Sequence, residues 1–168
     1  NLLGGFSKTI TTCNSLKFHR LAEAYEQMRD HSDIWLDAKG SRPSALIVCL
    51  GLPSDYTERA IFAKNYLAVA GIESIQAEVG PSTLSDRVRH TKSDLIVICS
   101  SRKIYSEQLQ NTLKVIKSHG EGVIVLAASP GSNKNELKLS GLDLFIYAND
   151  NMLETLSKIA KRIGMLAL

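Results

Sequence analysis

Five short apolar runs, separated by segments with helical periodicity, constrain the fold of this 168-residue chain more than any other feature. The runs are rich in β-branched residues, and most are closed by glycine, proline or serine. A continuous apolar run between turn residues is typical of a strand that is buried on both faces. Strands are predicted at 45–50, 72–79, 94–99, 123–128 and 142–148.

The segments between these runs repeat apolar residues every three or four positions, which predicts amphipathic helices. Helices are predicted at 55–70, 82–91, 105–118 and 152–163, and the polar stretch 133–140 is left open as a short helix or a loop. Strands that alternate with single helices predict an α/β fold, in which helices cover both faces of a parallel sheet. Five strands in about 120 residues favour the flavodoxin-like strand order.

The first part of the chain differs from this pattern. We predict a helical lead-in and linker at 1–43, followed by the flavodoxin-like domain at 44–168. A helix is expected at 18–28, followed by a short apolar stretch around Trp35. So short a segment cannot form a second core, so it is expected to pack on the sheet domain or on a partner. Because the chain begins at Asn1 without methionine, it is expected to be a piece of a longer protein.

Composition excludes several classes of protein. With 44% hydrophobic residues the chain has enough apolar side chains to fold, and its apolar runs are too short to span a bilayer. A net charge of +3 does not favour binding to nucleic acid or to a membrane surface. The three cysteines, Cys13, Cys49 and Cys99, form no metal-binding motif, and two lie within apolar runs. Free buried thiols indicate a reducing compartment, so a cytoplasmic location is expected.

Ligands of open parallel sheets bind at the carboxyl ends of the strands, where polar residues stand in three loops. Ser54 and Thr57 follow the first strand and precede a helix, a position that suits a phosphate. Asp55 and Glu58 in the same loop resemble a capping box, and this structural interpretation is favoured because acidic residues oppose a bound anion. The turn at 129–132 after the fourth strand is interpreted as structural.

Ser100 and Ser101 follow the third strand, where either a ligand contact or a helix cap would explain them. A phosphoacceptor receiver domain is excluded, because Gly51 and Ser100 stand where its magnesium-binding carboxylates belong. A serine hydrolase is excluded because the chain has no Gly-x-Ser-x-Gly motif. The four histidines lie away from these loops and are interpreted as surface residues.

Several motifs together resemble the C-terminal domain of the methylmalonyl-CoA mutase small subunit. They are Arg-Pro at 42–43, Thr-Glu-Arg-Ala-Ile-Phe-Ala-Lys-Asn at 57–65, Ala-Gly-Ile-Glu at 70–73, Cys-Ser-Ser at 99–101, Tyr-Ser-Glu-Gln at 105–108 and Leu-Phe-Ile-Tyr-Ala at 144–148. The resemblance covers about residues 18–165. It implies a heterodimeric isomerase that interconverts methylmalonyl-CoA and succinyl-CoA with adenosylcobalamin. It also implies a catalytic large subunit as the partner, and a small subunit that is not itself catalytic.

The cobalamin-binding domains of this family carry Asp-x-His-x-x-Gly after the first strand, and its histidine ligates cobalt. In one alignment Ser54, Tyr56 and Arg59 take the Asp, His and Gly places, and in another Asp55 takes the His place. Neither alignment supplies an imidazole, and oxygen ligands are poor substitutes for it. Alanines at 127–128 replace the family's Gly-Gly, while its serine after the third strand is kept as Ser100 or Ser101.

The residues therefore predict a degenerate cobalamin-type domain with a structural and assembly role in the holoenzyme. No catalytic or metal-ligating residue is assigned, and no tightly bound cofactor is expected in this domain. The degenerate cofactor positions are Ser54, Tyr56, Ser100 and Ser101. The alternative is a small-ligand binding module that takes a cobalamin nucleotide tail or another phosphate-containing ligand.

Overall fold

A five-stranded parallel sheet with the order β2-β1-β3-β4-β5 organises the chain. The computed structural model describes residues 22–80, 82–119 and 122–167. The strands are β1 (Ser44–Cys49), β2 (Glu73–Glu78), β3 (Leu95–Cys99), β4 (Val123–Leu126) and β5 (Leu144–Phe145). Neighbouring strands are parallel throughout, and Cys49 of β1 is level with Cys99 of β3.

Within the described residues, six α-helices connect and cover the strands. They are α1 (Glu23–Lys39), α2 (Pro53–Ala68), α3 (Leu84–Thr91), α4 (Arg102–His119), α5 (Lys134–Leu139) and α6 (Met152–Arg162), followed by a 3₁₀ turn at Met165–Ala167. Helices α1, α2 and α6 pack on one face of the sheet, and α3, α4 and α5 pack on the other. The predicted flavodoxin-like α/β fold is therefore confirmed, and the stretch left open at 133–140 contains a short helix. No helix within the described residues is long and apolar enough to cross a membrane.

Differences in burial explain why some strands could be predicted from the sequence more clearly than others. Every residue of β3 and nearly every residue of β1 is buried, because these two strands are covered on both faces. Strand β2 lies at the sheet edge and is mostly exposed, which accounts for its polar sequence. β4 and β5 are shorter than predicted. At the end of β4 the backbone turns, since the Ala128 amide donates to the carbonyl of Leu126 at 3.0 Å.

Within the described part of the lead-in, one continuous helix runs over Glu23–Lys39, so the prediction that the helix ends at residue 28 is wrong. Residues 18–21 lie outside the described part of the chain. Helix α1 runs through Ser32, whose hydroxyl is fully buried and donates to the carbonyl of Gly71 at 2.7 Å. Trp35, only 3% exposed, packs on Ala160 and Met165. Helix α1 thus packs on the sheet domain itself, and Trp35 is buried in that contact.

The thiols of Cys49 and Cys99 are buried side by side in the core between β1, β3 and α2. Burial, aided by the nearby Glu78 carboxylate, raises the pKa of Cys49 to about 11. Burial also raises the pKa of Cys99 well above its usual range. Both thiols therefore stay protonated at neutral pH, and neither is suited to act as a nucleophile.

We expect iodoacetamide at pH 8 to leave Cys49 and Cys99 unmodified in the native chain and to modify both in urea. With a pKa of about 11, only about one Cys49 thiol in a thousand is ionised at this pH. Peptide mass spectrometry separates these sites from Cys13, which lies outside the described residues. Alkylation of native Cys49 as fast as that of the unfolded chain would contradict the buried position.

Candidate functional site

The carboxyl ends of β1, β3 and β4 meet at one edge of the sheet, where the strand order reverses between β1 and β3. Open α/β sheets bind their ligands at this position. Three residues from different elements contact one another here: Arg59 of α2, Ser100 after β3 and Tyr105 of α4. We call them the strand-end cluster.

Ser100 is the buried centre of the strand-end cluster, with no exposed surface. Its hydroxyl donates to the carbonyl of Leu50 at 2.6 Å, and this bond joins the end of β3 to the end of β1. Its backbone amide donates to the Tyr105 hydroxyl at 2.8 Å. The only proton of the Ser100 hydroxyl is therefore used within the chain.

Tyr105 joins β3 to β4 through its hydroxyl. The hydroxyl oxygen lies 3.1 Å from the carbonyl of Ile98 and 3.3 Å from that of Ala127, and it donates its proton toward these two acceptors. Burial raises the pKa of Tyr105 far above its usual value, so the hydroxyl remains a donor at any physiological pH. This side chain fills the space between two strand ends.

Arg59 closes the strand-end cluster from the side of α2. Its Nη1 donates to the carbonyl of Ser100, and its guanidinium carbon lies 5.3 Å from the centre of the Tyr105 ring. This arrangement combines a hydrogen bond from a charged group with a cation–π contact. The positive charge of Arg59 thus serves to hold the strand ends together.

The four degenerate cofactor positions differ in exposure and in the hydrogen bonds that they make. Ser54 is exposed in the first turn of α2, whereas the Tyr56 side chain is buried. A hydrogen bond from the Tyr56 hydroxyl to Glu78, at the end of β2, is the main cause that raises its pKa to about 12. Ser101 accepts a long bond of 3.4 Å from the Ile104 amide and caps α4. Ser100 and Ser101 are neighbours in sequence and follow the end of β3.

The loop after β1 uses its acidic residue as a cap, but not in the predicted arrangement. Helix α2 begins at Pro53, so Leu52 is the N-cap residue and Asp55 stands three positions later. The Asp55 carboxylate accepts from the Leu52 amide at 3.1 Å. The prediction that Asp55 is itself the cap, with Glu58 as its partner, is therefore wrong. Proline is favoured at the first helical position, so α2 begins at Pro53, earlier than the predicted start at residue 55.

A cleft of about 550 Å³ opens at the strand-end cluster, with Arg59 and Tyr105 in its lining, between the loop after β4 and the starts of α4 and α5. Its walls include the exposed Arg102, together with Ser129, Ser132 and Phe145. The mixed polar and apolar lining suits a small polar ligand. The sequence analysis did not identify Arg102 or Tyr105 as candidate site residues.

Within the described residues, no histidine lies at this edge of the sheet to supply a nitrogen ligand. His31 lies in the middle of α1, and His90 and His119 lie near the carboxyl ends of α3 and α4, at the opposite edge of the sheet. His19 lies outside the described part of the chain. In residues 22–80, 82–119 and 122–167 no group of three or more His, Cys, Asp or Glu side chains is placed to hold a metal ion.

Comparison with curated proteins finds methylmalonyl-CoA mutase small subunits, although no protein-family model matches the sequence. The small subunit of Streptomyces virginiae is 28% identical over 148 residues, which is 87% of this chain and 23% of that protein. That of Propionibacterium freudenreichii subsp. shermanii is 28% identical over 115 residues, 68% of this chain and 17% of that protein. The chain thus spans about a quarter or less of these relatives. The resemblance inferred from the sequence motifs is confirmed.

Among solved structures, a pilus assembly protein assigned as CpaE2 in Sinorhizobium meliloti 1021 superposes with a TM-score of 0.46 and 12% identity. The match covers 71% of this chain and 98% of that one.

Proposed function

We propose that this chain is the cobalamin-type domain of a methylmalonyl-CoA mutase small subunit and that it acts in assembly with the catalytic large subunit. In this proposal the domain does not hold cobalamin tightly and carries no catalytic residue. Support comes from the similarity to small subunits over 87% of the chain. The observation that carries the proposal is the strand-end cluster, in which the polar groups that could meet a ligand are bonded to the chain's own strand ends.

The residues at the cobalt-ligand positions do not fit the cofactor. The Tyr56 hydroxyl is directed to Glu78, and Asp55, in the alternative alignment, accepts from the Leu52 amide. Each is an oxygen group already bonded within the chain, whereas cobalt takes a neutral imidazole nitrogen in this family. Arg59 aligns with the glycine of the cobalamin motif. Its long side chain fills space that a glycine would leave open.

The positions that would receive the nucleotide tail also favour a structural role. The Ser100 hydroxyl donates to Leu50, and the Tyr105 hydroxyl lies against the carbonyl of Ala127. Ala127 is itself only 2% exposed, so its methyl group is packed in the core, where glycine would leave room. These contacts tie three strand ends into one rigid unit, which suits a domain that presents a fixed surface to a partner.

We expect the purified full-length small subunit to leave the absorbance spectrum of adenosylcobalamin in its base-on form. The large subunit, titrated in the same way, is the positive control for cofactor binding. A base-off spectrum with a Kd in the micromolar range for the small subunit would contradict the proposal. The assembly role is tested separately by co-purification, and removal of this domain from the small subunit is expected to weaken subunit association at least roughly tenfold.

The cleft beside the strand-end cluster supports a second candidate, a small-ligand binding module. Arg102, Ser129 and Ser132 offer a cation and two hydroxyls to a phosphate-containing ligand. In a thermal-shift assay with flavin mononucleotide, cobalamins and CoA esters, this candidate requires a Tm increase that scales with ligand concentration. Loss of that increase in Arg102→Gln, but not in Lys103→Gln, would place the ligand in this cleft.

A further inference from the structure

The opposite edge of the sheet, at the amino ends of the strands, carries a separate pocket of about 270 Å³. The apolar part of its lining consists of Leu46, Val88 and Ile96, each almost completely buried by the core beneath. Its polar rim includes Arg89 and Lys92, from the end of α3 and the residue that follows it. An apolar floor with a basic rim suits a ligand that has a flat apolar part and an anionic group.

The charges at this edge are not neutralised within the described residues. His119, at the end of α4, lies on the rim 3.5 Å from Arg89. In the described part of the chain neither Arg89 nor Lys92 is within salt-bridge distance of a carboxylate. The nearby Asp94 accepts from the Ser44 amide at 3.0 Å, so that carboxylate is already engaged in joining β1 to β3.

A second cavity of about 430 Å³ adjoins the first at Gly122 and adds two further cations, Lys117 and Lys138. Lys117 lies across Gly141, where an added Cβ atom would come within 1.7 Å of the lysine Cε. The acidic residue of this cavity, Asp143, is paired with Arg162 and also accepts from the Ile124 amide. Positive charge thus extends from one cavity into the next, which concentrates anions.

An unpartnered hydroxyl lies in the wall of the first pocket. The Ser93 oxygen has less than 1 Å² of exposed surface and no hydrogen-bond partner in the described residues. Buried hydroxyls nearly always have a partner, so this one is an unsatisfied polar atom beside the pocket, and it has too little exposed surface to contact a ligand directly.

We propose that this amino-edge pocket binds a small organic phosphate of the nucleotide class. The flat base lies on the floor of Leu46, Val88 and Ile96, and the phosphates lie among Arg89, Lys92 and His119. A second phosphate reaches toward Lys117 in the adjoining cavity. The inference is independent of the proposed assembly role, because that role rests on the strand-end cluster at the other edge of the sheet.

Isothermal titration calorimetry of the full-length protein with ADP tests this inference, with adenosine and inorganic phosphate as partial ligands. We expect saturable binding of ADP, and binding at least roughly tenfold weaker for each partial ligand, because each uses only one part of the pocket. Arg89→Gln is expected to weaken ADP binding roughly tenfold, the typical effect of one lost charge-assisted bond.

Arg87→Gln is the matched control, since Arg87 is an exposed arginine on the same helix that does not line the pocket. It removes the same charge and is expected to leave the Kd for ADP unchanged. Absence of saturable ADP binding would overturn the inference. So would inorganic phosphate binding as tightly as ADP, or an equal loss of affinity in Arg87→Gln and Arg89→Gln.

Discussion

Replacing Trp35 with alanine is expected to lower the free energy of unfolding by about 3–5 kcal/mol, the usual cost of removing a buried aromatic side chain. Trp35 is 3% exposed and packs against Ala160 and Met165, where α6 and the final 3₁₀ turn meet α1. The ammonium of Lys39 lies 3.2 Å from the centre of its ring and covers the outer side. The substitution removes one of the apolar contacts, together with that of Met28, that hold helix α1 on the sheet domain.

Ile34→Ala provides the control, because Ile34 is the preceding residue of the same helix and is 47% exposed. Its expected effect is within about 0.5 kcal/mol, apart from small changes in helix propensity. Urea unfolding followed by far-ultraviolet circular dichroism measures both variants, since Trp35 is the only tryptophan and fluorescence is lost with it. Equal effects of the two substitutions would contradict the packing of helix α1 on the sheet domain through Trp35.

The central strands could be predicted because they are buried on both faces. β1 and β3 bury nearly every residue, so their sequences are continuously apolar and carry the signal by themselves. Helix α1 could not be predicted at full length. Its middle contains Ser32, a polar residue that is nonetheless fully buried and bonded to Gly71, 39 positions away. A hydrophobic pattern cannot reveal a buried hydroxyl whose partner is so distant in sequence.

The candidate site, too, could be predicted only in part from the sequence. The sequence placed Ser100 correctly at a strand end, but the side chain's partner there is the Leu50 carbonyl of the neighbouring strand. Residue type and position do not decide whether such a hydroxyl faces a ligand or the chain. From the sequence, Arg59 could be recognised only as the residue aligned with the glycine of the cobalamin motif. Its contact with Ser100 depends on how α2 packs over β3. Contacts of this kind follow from tertiary packing and are not encoded in local spacing.

Replacing Tyr105 with phenylalanine is expected to lower the free energy of unfolding by about 1–3 kcal/mol, although only one oxygen is lost. The Ser100 amide, which donates to this hydroxyl at 2.8 Å, would be left buried without its acceptor. The carbonyls of Ile98 and Ala127 would lose a donor at the same time. An unsatisfied polar group in the core costs more than the lost bond itself contributes.

Tyr147→Phe is the matched control for this last change, because Tyr147 is half-buried and its hydroxyl makes no hydrogen bond within the described residues. Denaturant unfolding measures both variants, and native-state hydrogen exchange locates the effect. Exchange of the Ser100 amide is expected to accelerate in Tyr105→Phe more than that of amides in the centre of β3, since the loss is local to the strand ends. If Tyr105→Phe were as mild as Tyr147→Phe and left the Ser100 amide equally protected, the strand-end cluster would not hold this edge together. The proposed assembly role, which rests on this cluster, would then lose its main support.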